Sequence, residues 1–179
     1  MFKNLKVLEL SSVLAGPAVG MFFSELGAQV VKVENKTTNG DVTRKWKLPN
    51  EKKSDISAYF CSVNYNKNYV FLDFNNQKDR TKLKVLIKDC DIVITNFKGK
   101  DAAKFGLDFE DCKRINSNII YAHIGGFKTN PNRVAFDIVL QAETGFINIT
   151  GNKKEFAKMP VALIDVLAAH QIKEGILTA

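Results

Sequence analysis

The sequence predicts an α/β domain: a Rossmann-like, largely parallel sheet flanked by helices. Three observations predict it. A strand-type run, a tight turn, an apolar helix and a second strand follow one another at the start of the chain. Short β-type runs and helical patterns then alternate to residue 179. No internal repeat or low-complexity tract interrupts that alternation.

"KVLEL" (6–10) is the first β-type run. "GPAVGMFFSELGA" (16–28) follows, with Pro17 suited to the first helical position and Gly27 to the C-terminal cap. This helix is apolar almost all round, which predicts burial. "AQVVKVE" (28–34) is the second strand, and a crossover of this kind implies parallel pairing. A polar loop is expected from Asn35 to about Ser54. "YVFLDF" (69–74) is a strand, "QKDRTKLKVLIKDC" (77–90) an amphipathic helix and "DIVITN" (91–96) a strand. "GKDAAKFGL" and "DFEDCKRINSN" read as short helices, and "IIYAHIGG" (119–126) as a strand. "FDIVLQAETGFINI" begins as a helix with a turn expected at Gly145. "VALIDVLAAHQIKEGILTA" has helical spacing, with Leu163, Leu167, His170 and Glu174 on one side and Ile164, Ala168, Ile172 and Ile176 on a neighbouring one. The chain stops inside that pattern, so it reads as the front part of something longer.

The apolar share of 45% and charged share of 25% are ordinary for a globular domain. No run reaches membrane-span length, and "MFKNLKVLEL" has neither an apolar signal region nor a cleavage motif; a cytoplasmic location is expected. Cys61, Cys90 and Cys112 are odd in number and widely spaced, which fits neither a disulfide framework nor a zinc site. The formal net charge of +7 favours polyanions: nucleic acid, an anionic membrane or a phosphate-rich cofactor. The lysines are scattered among acids, as in "KNYVFLDFNNQKDRTKLK", which argues against a nucleic-acid tail. A solvated surface, or an AT-rich genome rich in Lys and Asn codons, accounts for the charge equally well.

One carboxylate stands out. In "MPVALIDVLAAHQI" (159–172), Asp165 is the single charged residue. Burying an ionised carboxylate without partners costs about several kcal/mol. A helix cap or a side chain turned to water would explain it; so would a reactive group kept where water is scarce. The first βα turn, "LSSVLAGPAVG", offers free N–H groups at a helix start, which suits a phosphate. Glu34 ends the second strand where dinucleotide folds place a ribose-binding acid. The G-x-G-x-x-G fingerprint is missing, however, and an ordinary tight turn explains Gly16 and Gly20 better. "TNFKGKDAAKFGL" (95–107) leaves a strand at the end where open parallel sheets bind ligands. There Asn96 offers donors and an acceptor, Phe97 a flat face for a base, and Lys98, Lys100 and Lys104 charge for phosphates; a solvated loop with one packed Phe is the plain alternative. His123 and His170 have no ligands at metal spacing and read as structural, no metal site is expected, and no Ser lies in a nucleophile elbow.

Taken in order, nine segments resemble the class III CoA-transferases, the family of formyl-CoA transferase and carnitine CoA-transferase. They are "VLELSSVLAGPAVG", "LGAQVVKVE", "GDVTRKW", "SAYFCSVNYNK", "LDF", "DIVITNFKG", "FGLDFEDCKRINSNIIYAHIGGF", "FDIVLQAETGFINITG" and "VALIDVLAA". Each alone is weak; their order and spacing are specific, and residues 1–179 resemble the N-terminal CoA-binding and catalytic region. The resemblance implies that Asp165 is the catalytic aspartate, which attacks an acyl-CoA thioester and later carries CoA as an aspartyl thioester. It implies coenzyme A as substrate with no tightly bound cofactor, a small carboxylic acid as acceptor, and an interlocked homodimer for a full-length member. It places Leu14 and Ala15 beside the nucleophile and CoA, Leu72, Asp73, Asn96 and Phe97 in the walls of the nucleotide site, and Asp137 at an acidic position near the active site. Lys104 stands where the family often has Arg, and Asn35 where a basic residue commonly meets phosphate. Relatives that racemise 2-methylacyl-CoA carry a His where this chain has Phe136, so one of the two proton-handling groups is missing. Three alternatives remain: such a racemase, a remnant that only folds or binds CoA, and an NAD-dependent oxidoreductase suggested by the first βαβ unit and Glu34.

Overall fold

A computed structural model describes residues 1–53, 56–152 and 154–179. The expected alternation is present: β1 (Lys6–Leu10), α1 (Ala15–Glu25), β2 (Gln29–Asn35), α2 (Ala58–Ser62), β3 (Asn68–Leu72), α3 (Gln77–Asp89), β4 (Ile92–Thr95), α4 (Gly99–Phe105), α5 (Phe109–Ile115), β5 (Ile120–His123), α6 (Asp137–Glu143), α7 (Phe146–Thr150) and α8 (Leu163–Thr178). The five strands form one sheet in the order β3-β2-β1-β4-β5, and every pairing is parallel. No helix among the described residues is long and apolar enough to cross a membrane.

Successive strand residues point to opposite faces, so each strand feeds two cores. Leu8, Leu10, Val33 and Val93 pack with Leu83, Ile87, Leu107 and Cys112 on the α3–α5 side. Val7, Val30, Ile92 and Ile94 pack with Val19, Phe23, Ala169 and Ile176 on the α1–α8 side. Burial on both faces explains why these strands read as near-continuous apolar runs. Three buried charged residues break the pattern, Glu9 of β1 and Lys32 and Glu34 of β2. Glu9 and Lys32 are in register, both fully buried, and joined at 2.8 Å.

Several boundaries differ from the sequence reading. The 35–54 loop contains two 3₁₀ turns, Lys36–Thr38 and Val42–Lys45, each started by a side-chain cap, from Asn35 and from Asp41; residues 54 and 55 lie outside the described residues. α2 had no counterpart in the sequence reading. It is a single turn, capped by Ser57 Oγ, which accepts from the Phe60 N–H at 3.0 Å. β3 stops at Leu72 because Asp73 leaves the ladder, its N–H donating to the Asp79 carboxylate at 3.0 Å. β5 ends at His123, ahead of Gly125 and Gly126. Gly145 breaks the α6–α7 helix as expected, at φ 85°. α8 begins two residues later than "VALI" implied, for a reason that belongs to the site.

Candidate functional site

The strand order reverses between β1 and β4, the switch point where open parallel sheets bind ligands beyond their carboxyl ends. Two adjoining cavities open there. A cavity of about 370 Å³ is bounded by the first βα turn (Ser12 to Ala15), the β4 loop (Asn96 to Lys98) and the N-terminal turn of α8 (Ile164, Asp165, Ala168). A second, of about 680 Å³, lies over Val33 to Asn35, Thr38 to Val42, Lys45, Phe74, Asp101 and Phe105. Ser12, Asn96, Phe97 and Lys98 line both, so the two form one continuous trough.

The first βα turn is held tightly. Asn96 clamps it from β4: its Nδ2 donates to Ser12 O at 2.9 Å and its Oδ1 accepts from Ser12 N–H at 3.2 Å. The next residue, Val13, has φ 73°, a left-handed backbone that a β-branched side chain resists. Its N–H donates to Asp41 Oδ2 at 3.1 Å. Asp41 is itself buried. It accepts from Thr43 N–H and Thr43 Oγ1 and faces Lys32 Nζ at 3.2 Å. Lys32 Nζ also donates to Glu9 Oε1 and to Ser11 O at 2.7 Å. Burial alone would lower the Lys32 ammonium; the Glu9 and Asp41 charges outweigh it and raise its pKa. Lys67 completes the cluster, 2.7 Å from Glu9 Oε2 and donating to Pro17 O, Val63 O and Asn64 Oδ1. Burial dominates there and pushes Lys67 down to about 8.

This cluster explains the glycines of "GPAVG". A Cβ at Gly20 would lie 1.9 Å from Glu9 Oε2, and one at Gly16 would lie 2.2 Å from Ser11 Oγ. Both glycines let α1 sit down on the end of β1. Glu34, the candidate ribose acid, is committed elsewhere. Its Oε2 accepts from Asp41 N–H and Arg44 Nε at 2.7 Å each, and its Oε1 meets the Arg44 guanidinium at 2.5 Å. That guanidinium in turn lies 3.9 Å over the Phe60 ring.

Asp165 is the third residue of α8 and lies on the wall of the smaller cavity. It does not cap the helix. The cap comes from another element: Asp137 Oδ1, at the start of α6, accepts from the Ile164 N–H at 2.8 Å and the Asp165 N–H at 3.3 Å. Fully buried Gln141 supports Asp137, donating to its Oδ2 at 2.5 Å and to Val161 O while accepting from Met159 N–H. These bonds hold residues 159–161 against α6, and α8 starts at Leu163. Burial first, and the nearby Asp137 charge second, raise Asp165 to about 6. The positive end of the α8 dipole opposes that rise. Tyr59 of α2 also feels the group: after burial, the Asp165 charge is the largest influence raising its phenol.

Of the sequence-predicted site residues, Leu14, Ala15, Asn96, Phe97, Lys98 and Asp165 come together around the trough, and Asp137 stands directly behind Asp165. Asn96 spends its amide on the Ser12 backbone. Phe97 packs edge-on against Phe74 at 5.6 Å while lining both cavities. Besides Asp137, three residues line neither cavity. Leu72 is buried in the sheet core, Asp73 caps the turn before α3 through Asn75 N–H, and Lys104 is exposed with its ammonium 5.4 Å from the Phe105 ring. Ser12, Val13, Asp41 and Arg133 are part of the site but were not singled out from sequence. Paired opposite charges inside two apolar strands, Glu9 and Lys32, were the available signal for the cluster that holds Asp41.

Residues 2–179 match the sequence profile of CoA-transferase family III. The chain is 35% identical to a succinate–glutarate CoA-transferase of Agrobacterium fabrum, over 91% of this chain and 42% of that protein. It is 35% identical to a human succinyl-CoA:glutarate CoA-transferase, over 92% and 38%, and 34% identical to a formyl-CoA:oxalate CoA-transferase of Afipia carboxidovorans, over 83% and 35%. A CaiB/BaiF family protein from Brucella suis superposes with a TM-score of 0.86 at 34% identity, over 98% of this chain and 49% of that one. The chain therefore spans less than half the length of the relatives it matches. It belongs to CoA-transferase family III.

Proposed function

We propose that the protein carrying this chain transfers CoA from an acyl-CoA to a carboxylic acid, with Asp165 as the covalent nucleophile. The observation that carries the reading is the place of Asp165: a raised-pKa carboxylate on the wall of a cavity that continues into a larger one at the sheet's switch point. A pKa of about 6 leaves the group largely ionised at neutral pH yet more basic than an ordinary aspartate, and basicity favours nucleophilic attack.

Asp165 attacks the thioester carbonyl, forming an acyl–aspartyl anhydride and releasing CoA thiolate. The thiolate attacks the aspartyl carbonyl, expelling the donor acid and leaving an aspartyl–CoA thioester. The acceptor carboxylate then attacks that carbonyl, forming a new anhydride and freeing the thiolate once more. Attack of the thiolate on the acceptor's acyl carbon yields the new acyl-CoA and restores Asp165. Water would hydrolyse either anhydride. The apolar walls of Phe136, Leu140, Ile164 and Ala168 act against it. The α1 N-terminal turn, where Leu14 lacks a side-chain cap, offers backbone N–H groups to a developing oxyanion. The 680 Å³ cavity takes the CoA nucleotide, with Phe97 against the base and Lys98 and Lys45 near the phosphates. Lys104, exposed and outside both cavities, is at most a distant electrostatic aid. Phe136 has no proton to exchange, which favours transfer over racemisation.

The test is trapping. Acyl-CoA plus hydroxylamine should convert Asp165 to a hydroxamate, read by peptide mass spectrometry, and Asp165→Ala should lower transfer by about 10⁴-fold or more. Unchanged turnover in Asp165→Ala would overturn the reading.

A further inference from the structure

The nucleophile's cavity contains a second charged feature that the proposed transfer chemistry does not use. Arg133, in the loop between β5 and α6, lines the same 370 Å³ cavity as Asp165. Its guanidinium lies 4.2 Å over the Phe127 ring. That stacking fixes the plane of the fork and presents its edge, not its face, to a carboxylate. It already holds one: Arg133 pairs with Glu143 at the end of α6. Both side chains are 43% exposed, so this pair is neither locked in a core nor costly to open. The rest of the cavity is mostly apolar, built from Val13, Leu14, Ile124, Val134, Phe136 and Leu140. Lys98, its other cation, lies where the two cavities meet.

From this arrangement we infer that Arg133 selects the acceptor acid, by binding a second carboxylate while the first faces Asp165, so that the acceptor is a dicarboxylate. The inference rests on the transferase reading and names the substrate class of that site. A dicarboxylate bridges the cavity with its reacting carboxylate at the nucleophile and its distal carboxylate on Arg133, taking the place of Glu143. One ion pair is exchanged for another, so the guanidinium is never left without a counter-charge. A monocarboxylic acid of the same length leaves the Arg133–Glu143 pair closed and lays its alkyl end against a hydrated ion pair. The cost of that mismatch is what discriminates. Glu143 is then a competitor for Arg133, and the two residues should have opposite effects.

The experiment uses the full-length protein with one acyl-CoA donor and two acceptors, glutarate and valerate. Arg133→Gln should lower kcat/KM for glutarate by about tenfold or more, shift the glutarate-to-valerate ratio toward valerate and leave the KM for the acyl-CoA nearly unchanged. Glu143→Gln should instead lower the KM for glutarate and leave valerate unaffected. If the ion pair only braces the loop on α6, both variants will lose activity together and on both acids; that result overturns the inference. An increase in the acyl-CoA KM of Arg133→Gln assigns the guanidinium to the CoA and overturns it as well. A wild-type protein that prefers valerate does the same. Hydroxylamine trapping from the donor alone needs no acceptor, so it reports separately whether the transferase reading holds.

Discussion

The first βα turn and the N-terminal turn of α8 line one cavity but are held by opposite means. The βα turn is over-determined. Val13 sits in a left-handed conformation that costs about 1–2 kcal/mol, kept there by Asp41, which is fixed by Lys32, itself fixed by Glu9 and backed by Lys67. The α8 turn depends on one carboxylate, Asp137, braced by one amide, Gln141. A rigid floor suits the role proposed for this turn, receiving a developing oxyanion without reorganising. Light tethering suits the role proposed for Asp165, which would form and break bonds to two different acyl carbons.

The comparison can be broken at its strong end. Lys32→Met should strip buried Asp41 of its cation and leave Glu9 with Lys67 alone, destabilising the fold by about 3–5 kcal/mol. A urea titration will read this as a fall in midpoint at unchanged slope. A loss of about 1 kcal/mol or less would mean the cluster is hydrated and does not enforce the turn. At the weak end, Asp137→Ala removes a helix cap and should cost about 1 kcal/mol, with a larger loss in trapping of Asp165 than in stability. If Asp137→Ala proves as damaging to the fold as Lys32→Met, the contrast between the two walls is wrong.

Most of the framework could be read from the sequence because local pattern and tertiary role agree there. β1 was placed to the residue, and the Gly145 break followed from the one residue type that accepts φ 85° cheaply. Asp165 was conspicuous because nothing near it in the chain is charged. What escaped notice was non-local. Asp137 caps a helix 27 residues away, so no capping motif precedes α8. Asp41 acts on Val13 across 28 residues, and its neighbours resemble those of any polar loop. Leu72 was assigned to the nucleotide site by resemblance, and Lys104 by its charge in the loop after β4 as well as by resemblance. The structure puts the first in the core and the second on the outer surface, because a strand register and a helix face decide where side chains point.

The Asp165 pKa gives a smaller effect with a definite sign. A carboxyl raised from 3.8 to about 6 binds protons more tightly in the folded chain than in the unfolded one. Its contribution to stability is therefore present below the unfolded pKa and is lost as pH rises through about 6. Asp165→Asn removes this dependence. The Asn variant should match the wild type near pH 4 and exceed it by about 1 kcal/mol at pH 7, after allowing for partial exposure. Equal pH dependence in the two would mean that Asp165 is solvated.

The smallest effect separates the two causes of that raised pKa. Burial is the larger and the Asp137 charge the smaller. Asp137→Asn keeps an oxygen able to accept from the Ile164 and Asp165 N–H groups but removes the like charge. As the proposed nucleophile, Asp165 must be ionised to attack, so trapping with acyl-CoA should rise with pH through about 6 in the wild type. In Asp137→Asn the same limb should move toward lower pH, by less than the whole displacement from an ordinary aspartate, because burial remains. Asp137→Ala should move the limb in the same direction while also lowering its plateau, since the cap is lost along with the charge. A limb that stays in place in both variants would show that the two carboxylates do not sense each other. Asp137 would then be a helix cap that happens to carry a charge.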